Sequence, residues 1–424
     1  MAYIYSVLAV LLFSFQPSAA AQNFDQGVEV KPVLEKAREG AAKLLDATPA
    51  ASSSESKDEF VWVTLDKTDV AALKGEFGFP SRKAGAVGAQ ASMYKLSVGE
   101  LDRLAEVMNR KFRRTGFMTF RAEAEARQAV FAPDAVAAPK AYSIDMGKVV
   151  EPMVKLVDEA PISKVTNTLA AYKNRYYRSA TGAASSRWLA DHWKGVAQGR
   201  DDVGVELFPH QGWDQPSVIA TVRGSKTPGE IVVLGGHIDS IAGYGADTLA
   251  PGADDNASGV AVVTEALRVL VKAGYRPSKT LKFVAYSAEE VGLRGSKDVA
   301  NSLKGQTVLG ALNFDMANYN GSSEDILFIT DSSDASLNAF LGKLLSRYAP
   351  DVKWASTSCG YACSDHASWT RIGVPSSFPF EAKMNEDNPN IHSAKDTLSQ
   401  IGGKSDHAAK FAKLAVAAMA ELAK

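Results

Sequence analysis

The sequence predicts an α/β fold: a mixed, mostly parallel central sheet flanked by helices, preceded by a small α+β unit. Three observations predict it. Ile231–Leu234 and Leu281–Tyr286 are short, largely apolar runs, as strands covered on both faces require. Gly259–Ala273 between them has helical length and apolar spacing, which makes a β-helix-β crossover and sets the flanking strands parallel. Residues 22–142 differ in pattern, carry none of the polar motifs found later, and so read as a separate unit.

Taken in order, residues 1–21 read as an export signal: Ile4–Phe15 is largely apolar, too short to span a bilayer comfortably, and Ala19-Ala20-Ala21 offers a small-residue cleavage site. No Lys or Arg precedes the apolar run, so only the α-amino group supplies positive charge there. Ala47–Glu59 is Ser/Ala-rich and polar, a flexible composition. Phe60–Leu65 is a β-type run. Ser97-Val98-Gly99-Glu100 has capping-box spacing; Leu101, Leu104, Met108 and Phe112 then recur at helical intervals, and Gly116 is a stop signal. Ala129–Tyr142 is Ala/Pro-rich, the composition of a linker and processing site. Signal, motif-free unit, linker and main domain (143–424) together suggest a precursor whose segment 22–142 is removed by a processing protease. Within the main domain, further strands are expected at Val308–Phe314, Ile326–Thr330 and Val374–Phe380, and helices at Leu337–Arg347 and Ser405–Leu422.

The bulk properties exclude some partners. Lys plus Arg number 47 against 48 Asp plus Glu, a formal net charge of −1, so no nucleic-acid partner is expected. No later segment has 18 uninterrupted apolar residues, so no membrane span is expected in the mature chain.

Five short motifs carry the chemistry. They are G-G-His237-I-Asp239-S, P-G-A-Asp254-D-N-A-S-G, Y-S-A-Glu289-Glu290-V-G, F-Asp315-M and N-I-His392-S. In open α/β sheets, sites form at the carboxyl ends of strands, and His237, Asp239, Glu289, Glu290 and Asp315 all follow predicted strands. Two imidazoles and several carboxylates can hold divalent cations and leave one carboxylate as a base, the equipment of metal-assisted hydrolysis. Each motif alone has an ordinary explanation. His237 and Asp239, two apart in extended chain, point the same way and could be a hydrogen-bonded pair. Asp254 and Asp255 could cap the following helix. Glu289 and Glu290 could form a solvated turn, although adjacent carboxylates beside an apolar strand repel unless a cation offsets them. His392 could be a solvated loop residue, and Asp365-His366 could mimic a ligand pair. Cys359 and Cys363 enclose three residues; in an exported chain they form a disulfide that stiffens the loop presenting Tyr361, whereas a metal site there would lack further sulfur ligands. No G-x-S-x-G elbow and no phosphate-binding G-x-x-x-x-G-K-[ST] loop is present.

Together the motifs carry a resemblance. Residues from about 143 to 424 resemble the co-catalytic zinc aminopeptidases of peptidase family M28, most nearly the secreted bacterial, Vibrio-type leucyl aminopeptidases. G-G-H-I-D-S, A-P-G-A-D-D-N-A-S-G, A-E-E-V-G-L-R-G-S, C-G-Y-A-C-S-D-H-A-S-W and N-P-N-I-H-S match in order and spacing. The resemblance implies a zinc-peptidase fold of the phosphorylase/hydrolase-like type and an exported monomer. It further implies two Zn2+ per chain and release of bulky hydrophobic residues from peptides with a free N-terminus. Residue by residue, it implies His237 and Asp315 on one zinc, Glu290 and His392 on the other, and Asp254 bridging both, with a cis peptide between Asp254 and Asp255. It implies Glu289 as general base, Asp239 orienting His237, and Tyr361 beside the reacting carbonyl. Met316, Cys363, Phe380 and Ile391 would line the pocket for the first side chain. Met384 and Asp387 stand where the Vibrio type has aromatics, which leaves the preferred residue open.

Three other functions compete: a single-zinc glutaminyl cyclase of the same fold, a di-zinc carboxypeptidase or deacylase, and a binding module with a decayed site. His237 alongside Asp315 argues against the first, and the last predicts lost ligands where none is lost.

Overall fold

The computed structural model describes residues 59–77, 84–131, 141–243 and 247–424. The expected signal, most of the Ser/Ala-rich stretch and the central part of the 129–142 linker lie outside the described residues.

The first part is built on a strand pair. β1 (Phe60–Asp66) is followed by α1 (Lys67–Ala72), β2 (Ala86–Val87), β3 (Ala91–Ser97), α2 (Val98–Phe112), β4 (Phe117–Phe120) and α3 (Glu123–Phe131). The sheet order is β2-β3-β1-β4, with all pairs antiparallel. The capping box forms as expected: the Ser97 amide donates to Glu100 at 2.8 Å while the Glu100 amide donates to Ser97 Oγ at 3.3 Å. The helix closes one turn before Gly116, with Arg113 in the left-handed region.

The second part carries the large sheet. α4 (Gly147–Val154), α5 (Glu159–Ala170) and α6 (Ala180–Val196) precede the hairpin β5 (Val203–His210) and β6 (Trp213–Val222). Then come β7 (Thr227–His237), a π-helical turn (Ala253–Ser258), α7 (Gly259–Lys272) and β8 (Lys279–Tyr286). α8 (Arg294–Ser302), β9 (Thr307–Asn313), β10 (Ile326–Ile329), α9 (Ala335–Tyr348) and β11 (Trp354–Thr357) follow. The chain ends with α10 (His366–Arg371), β12 (Ser376–Ser377), β13 (Pro379–Phe380) and α11 (Asp406–Leu422). Tyr142 already belongs to this part, since its ring stacks on Phe340 at 4.7 Å.

The six-stranded sheet has the order β12-β9-β7-β8-β6-β5. Its first four strands are parallel, and β6 and β5 add antiparallel. The mixed, mostly parallel class is therefore as expected. Alternation along β7 decides the layers. Val232 and Leu234 enter one core with α4–α7, α9 and α11, while Ile231 and Val233 enter another with Val299, Leu303 and Trp369. A second, three-stranded sheet runs β11-β10-β13. The expected strand 374–380 is thus two short pieces: Ser376–Ser377 pairs with β9 and Pro379–Phe380 with β10, so the chain changes sheets at Phe378.

β7 lies between β8 and β9, so the loops after these three strands emerge side by side. The β7–α7 connection can approach the β9 end closely only because position 259 is glycine: a Cβ there would stand 2.1 Å from the Phe314 carbonyl oxygen.

Candidate metal centre

The carboxyl ends of β7, β8 and β9 deliver the expected residues to one place. His237 is the last residue of β7 and is 1% exposed. Its Nε2 lies 3.1 Å from Asp255 Oδ1 and 3.2 Å from Asp315 Oδ1. His392, from the loop before α11, sets its Nε2 2.9 Å from Asp255 Oδ2 and 2.9 Å from Glu290 Oε2. One carboxylate therefore stands between two imidazoles, and each imidazole has a further carboxylate of its own.

That central carboxylate is Asp255, which corrects the expectation for Asp254. The backbone at Asp255 leaves helical values (φ −106°, ψ 92°) and the cis peptide joins Asp255 to Asn256, not Asp254 to Asp255. Asp254 consequently faces the other way. Its carboxylate accepts from the Asn318 amide at 3.0 Å and from Asn388 Nδ2 at 3.1 Å. Two adjacent acids in an irregular turn look alike in sequence, and the turn geometry decides which one faces the histidines.

Asp239 lies 3.5 Å from His237 Nδ1 through its carboxylate, and its carbonyl lies 3.2 Å from the same nitrogen. The carboxylate has a second task that the sequence did not disclose: it accepts the backbone amides of Glu289 at 3.0 Å and Glu290 at 3.1 Å. One residue thus fixes the β7 end against the turn after β8. Asp315 is held by Ser364 Oγ, which donates to its Oδ2 at 2.7 Å.

Electrostatics follow from this crowding. Burial alone would lower the His237 imidazole, but Asp315 and Glu289 carry it well above its ordinary value. His392 is likewise raised against burial by Glu290 and Asp255. Burial raises Glu289 well above the carboxylate range, with His237 opposing, and raises Glu290 to about 7 with Asp255 adding to the rise. Asp255 goes the other way, its burial outweighed by His392 and His237. Glu290 Oε1 and His392 Nδ1 are buried without a hydrogen-bond partner. Ligand atoms of His237, Asp255 and Glu290 lie within 4.8 Å of one another. Buried imidazoles packed against carboxylates, with orphaned donor atoms among them, form an N/O donor set that fits a zinc-type cation.

The four residues expected to line a pocket lie together. Met316, Phe380 and Ile391 form one apolar cluster with Ile329 and Phe378, and Cys363, Cys359 and Met384 pack against it. Cys359 and Cys363 are disulfide-bonded. His366 does not join the site; its Nε2 faces the Asp331 carbonyl at 2.9 Å. Asp365, weighed in the sequence only as half of a mimic ligand pair with His366, is buried, and that burial raises it to about 7. Sequence reasoning missed Asp396, which accepts the Asp254 and Asp255 amides at 3.1 and 3.0 Å, and Arg175 behind the β7 end. The cluster N-R-Y-Y around Arg175 and the Asp that follows His392 by four residues were the available signals.

The first part of the chain reaches the rim. Arg113 Nη2 donates to the Asn388 carbonyl at 2.6 Å, Thr115 Oγ1 to the Glu290 carbonyl at 3.5 Å, and the Thr119 amide to the Gly292 carbonyl at 3.1 Å. The Arg114 guanidinium lies 4.3 Å over the Tyr361 ring and is anchored by Asp69 at 2.6 Å.

Comparison with known proteins adds the following. Residues 217–417 match Peptidase family M28. A probable leucine aminopeptidase of Trichophyton verrucosum (strain HKI 0517) is 38% identical over 296 residues, covering 67% of this chain and 80% of the relative. Among solved structures, LapB from Legionella pneumophila is similar with a TM-score of 0.75 and 27% identity, covering 86% of this chain and 100% of that one. The Legionella pneumophila LapA aminopeptidase matches with a TM-score of 0.75 and 26% identity, over 86% of this chain and 99% of that one. Residues 143–424 alone could not supply an 86% share, so these likenesses extend into the first part of the chain.

Proposed function

The chain belongs to peptidase family M28 and is a metallo-aminopeptidase, and from that premise we propose the finer points of its chemistry. The enzyme is an exported, Vibrio-type leucyl aminopeptidase that works with two zinc ions and removes bulky hydrophobic N-terminal residues. The observation that carries this reading is Asp255 standing between His237 and His392, with Asp315 and Glu290 on the outer sides. His237 and Asp315 would hold one ion, His392 and Glu290 the other, and Asp255 both. When bound, the ions supply Lewis acidity and lower the pKa of water.

The protein's own residues account for the rest. Glu290, and not Glu289, reaches His392, so Glu289 is left for proton transfer. Burial makes its carboxylate a stronger base than an exposed one, which suits it to take a proton from water and return it to the leaving amine. Asp239 fixes the Glu289 and Glu290 backbone, so base and ligand keep a constant offset. Tyr361 stands at the rim to donate to the developing oxyanion. The Met316–Phe378–Phe380–Ile391 cluster takes an apolar first side chain, and Met384 extends it with apolar surface where the Vibrio type has an aromatic.

The first part of the chain acts as a removable propeptide. Arg113, Arg114, Thr115 and Thr119 touch the loops carrying Asn388, Tyr361, Glu290 and Gly292, so peptide access improves once a protease cuts within the 129–142 linker.

The test is substrate choice. Cleavage of leucine p-nitroanilide, with its N-acetyl derivative left intact, is expected. Cleavage of the blocked substrate alone would move the assignment to a deacylase or carboxypeptidase, and cyclisation of N-terminal glutamine to a glutaminyl cyclase.

A further inference from the structure

Arg175 lies between α5 and α6 and is fully buried. A guanidinium keeps its proton at neutral pH and carries five donors in a fixed fork, so burying it is costly unless every donor is met. Here backbone carbonyls meet four of the five. Nε donates to the Ile238 carbonyl at 2.7 Å, Nη1 to Leu169 at 3.1 Å and to Pro251, and Nη2 to Gly252 at 2.8 Å. No carboxylate lies within ion-pair distance among the described residues; the charge is balanced at longer range by Asp396, Asp255, Asp239 and Glu290.

The identity of those carbonyls is what matters. Ile238 is the residue between His237 and Asp239. Pro251 and Gly252 start the turn that presents Asp255 three residues later. One rigid fork therefore ties the strand end holding the first histidine to the turn holding the shared carboxylate. The surroundings reinforce the tie. The Arg175 amide donates to Ser240 Oγ at 3.0 Å, which donates to the Ala250 carbonyl at 2.8 Å, and Gln215 Nε2 donates to the Arg175 carbonyl at 3.0 Å. Gly252 has φ +54°, and a Cβ there would meet the Asp255 carbonyl oxygen at 2.3 Å and Arg175 Nη2 at 2.8 Å. The turn is fitted around the guanidinium.

We infer that Arg175 is a positioning residue that sets the His237–Asp255 geometry before metal arrives, and thereby the affinity of the centre for its ions. The inference rests on the metal reading above. Two effects of opposite sign compete. A fixed cation beside a cation site repels the incoming ion, whereas a fork that preorganises the ligands strengthens binding. Arg175→Lys separates them. It loses the planar fork, because an ammonium on a flexible stem cannot hold four carbonyls in Arg geometry, and it adds no repulsion of the incoming ion whether or not burial strips its proton.

The experiment is titration of the metal-stripped protein with cobalt(II), followed by its visible absorption, for wild type and Arg175→Lys. Affinity of the variant is expected to fall by about 10-fold to 100-fold, the range seen when residues supporting metal ligands are lost. In the cobalt-loaded state kcat should fall while KM for leucine p-nitroanilide holds, since the apolar pocket is elsewhere. A folded variant with wild-type cobalt affinity and only a lowered Tm would overturn the inference and make Arg175 a plain core residue. If the variant does not fold, wild type decides. Amides of residues 250–256 in the metal-free protein should stay protected from hydrogen exchange, and rapid exchange there would overturn the inference as well. Failure of wild type to bind cobalt at all would sink the metal reading itself, a result distinct from either.

Discussion

At the scale of single residues, Asp254 and Asp255 give the sharpest division. Asp255→Ala should lower zinc affinity by about 100-fold or more, whereas Asp254→Asn should leave the metal content unchanged, because its carboxylate serves Asn318 and Asn388. Metal analysis of the two variants checks this; metal loss only from the Asp254 variant would reverse the assignment. Glu289→Gln should keep both ions and lose about 10²–10⁴ in kcat, and retained turnover would remove Glu289 from proton transfer. The pH dependence has a definite sign. His237 and His392 are raised by their carboxylates, and Glu290 is raised to about 7 by burial, so the metal-free centre holds protons at neutral pH. Zinc must displace them, so affinity should rise with pH through neutrality and weaken below about 7, by about tenfold per pH unit for each proton released. Calorimetry in buffers of different ionisation enthalpy measures that release. Residue types and motif order were legible in the sequence. The choice between neighbouring acids was not, since it depends on a non-helical turn fixed by Asp396, by Asn256 donating to Phe314, and by Arg175 from three separate segments.

At the scale of elements, strands covered on both faces were the easiest to read, because burial forces continuous apolar runs such as Ile231–Leu234. The β5–β6 hairpin went unread. β5 is largely exposed at the sheet edge, and β6 begins with the polar, proline-containing Trp213-Asp214-Gln215-Pro216, so neither announces itself by pattern. Val374–Phe380 read as one strand because its residues suit a sheet, but a proline at 379 cannot donate to a ladder and the chain leaves one sheet for another there. The Cys359–Cys363 loop is an element whose effect is measurable. Cys363 backs the apolar cluster, and Tyr361, between the two cysteines, lies under the Arg114 guanidinium at 4.3 Å. Replacing both cysteines by serine should lower kcat and leave zinc content unchanged; an unaltered kcat would separate the disulfide from the presentation of Tyr361.

At the scale of the whole molecule, the first part of the chain shares a core with the second. Val63, Leu65, Leu101, Met108 and Phe117 pack in one cluster with Tyr177, Trp213, Ile241, Ala288 and Val291. Tyr177 Oη adds a hydrogen bond to Asp102 at 2.7 Å. Sequence patterning separates the two parts because only one carries motifs, but it cannot show the surface on which they meet. The unprocessed precursor should turn over more slowly than the form starting near residue 143, measured on the same substrate, and equal rates would remove the inhibitory role. The central claim is that two histidines sharing Asp255 form a two-ion hydrolytic centre. Its most direct test is stepwise zinc reconstitution of the metal-stripped enzyme while leucine p-nitroanilide cleavage is followed. The account predicts activity that rises from near zero and saturates at two zinc ions per chain. Full activity without metal, or saturation at a single ion with no second bound, would contradict it.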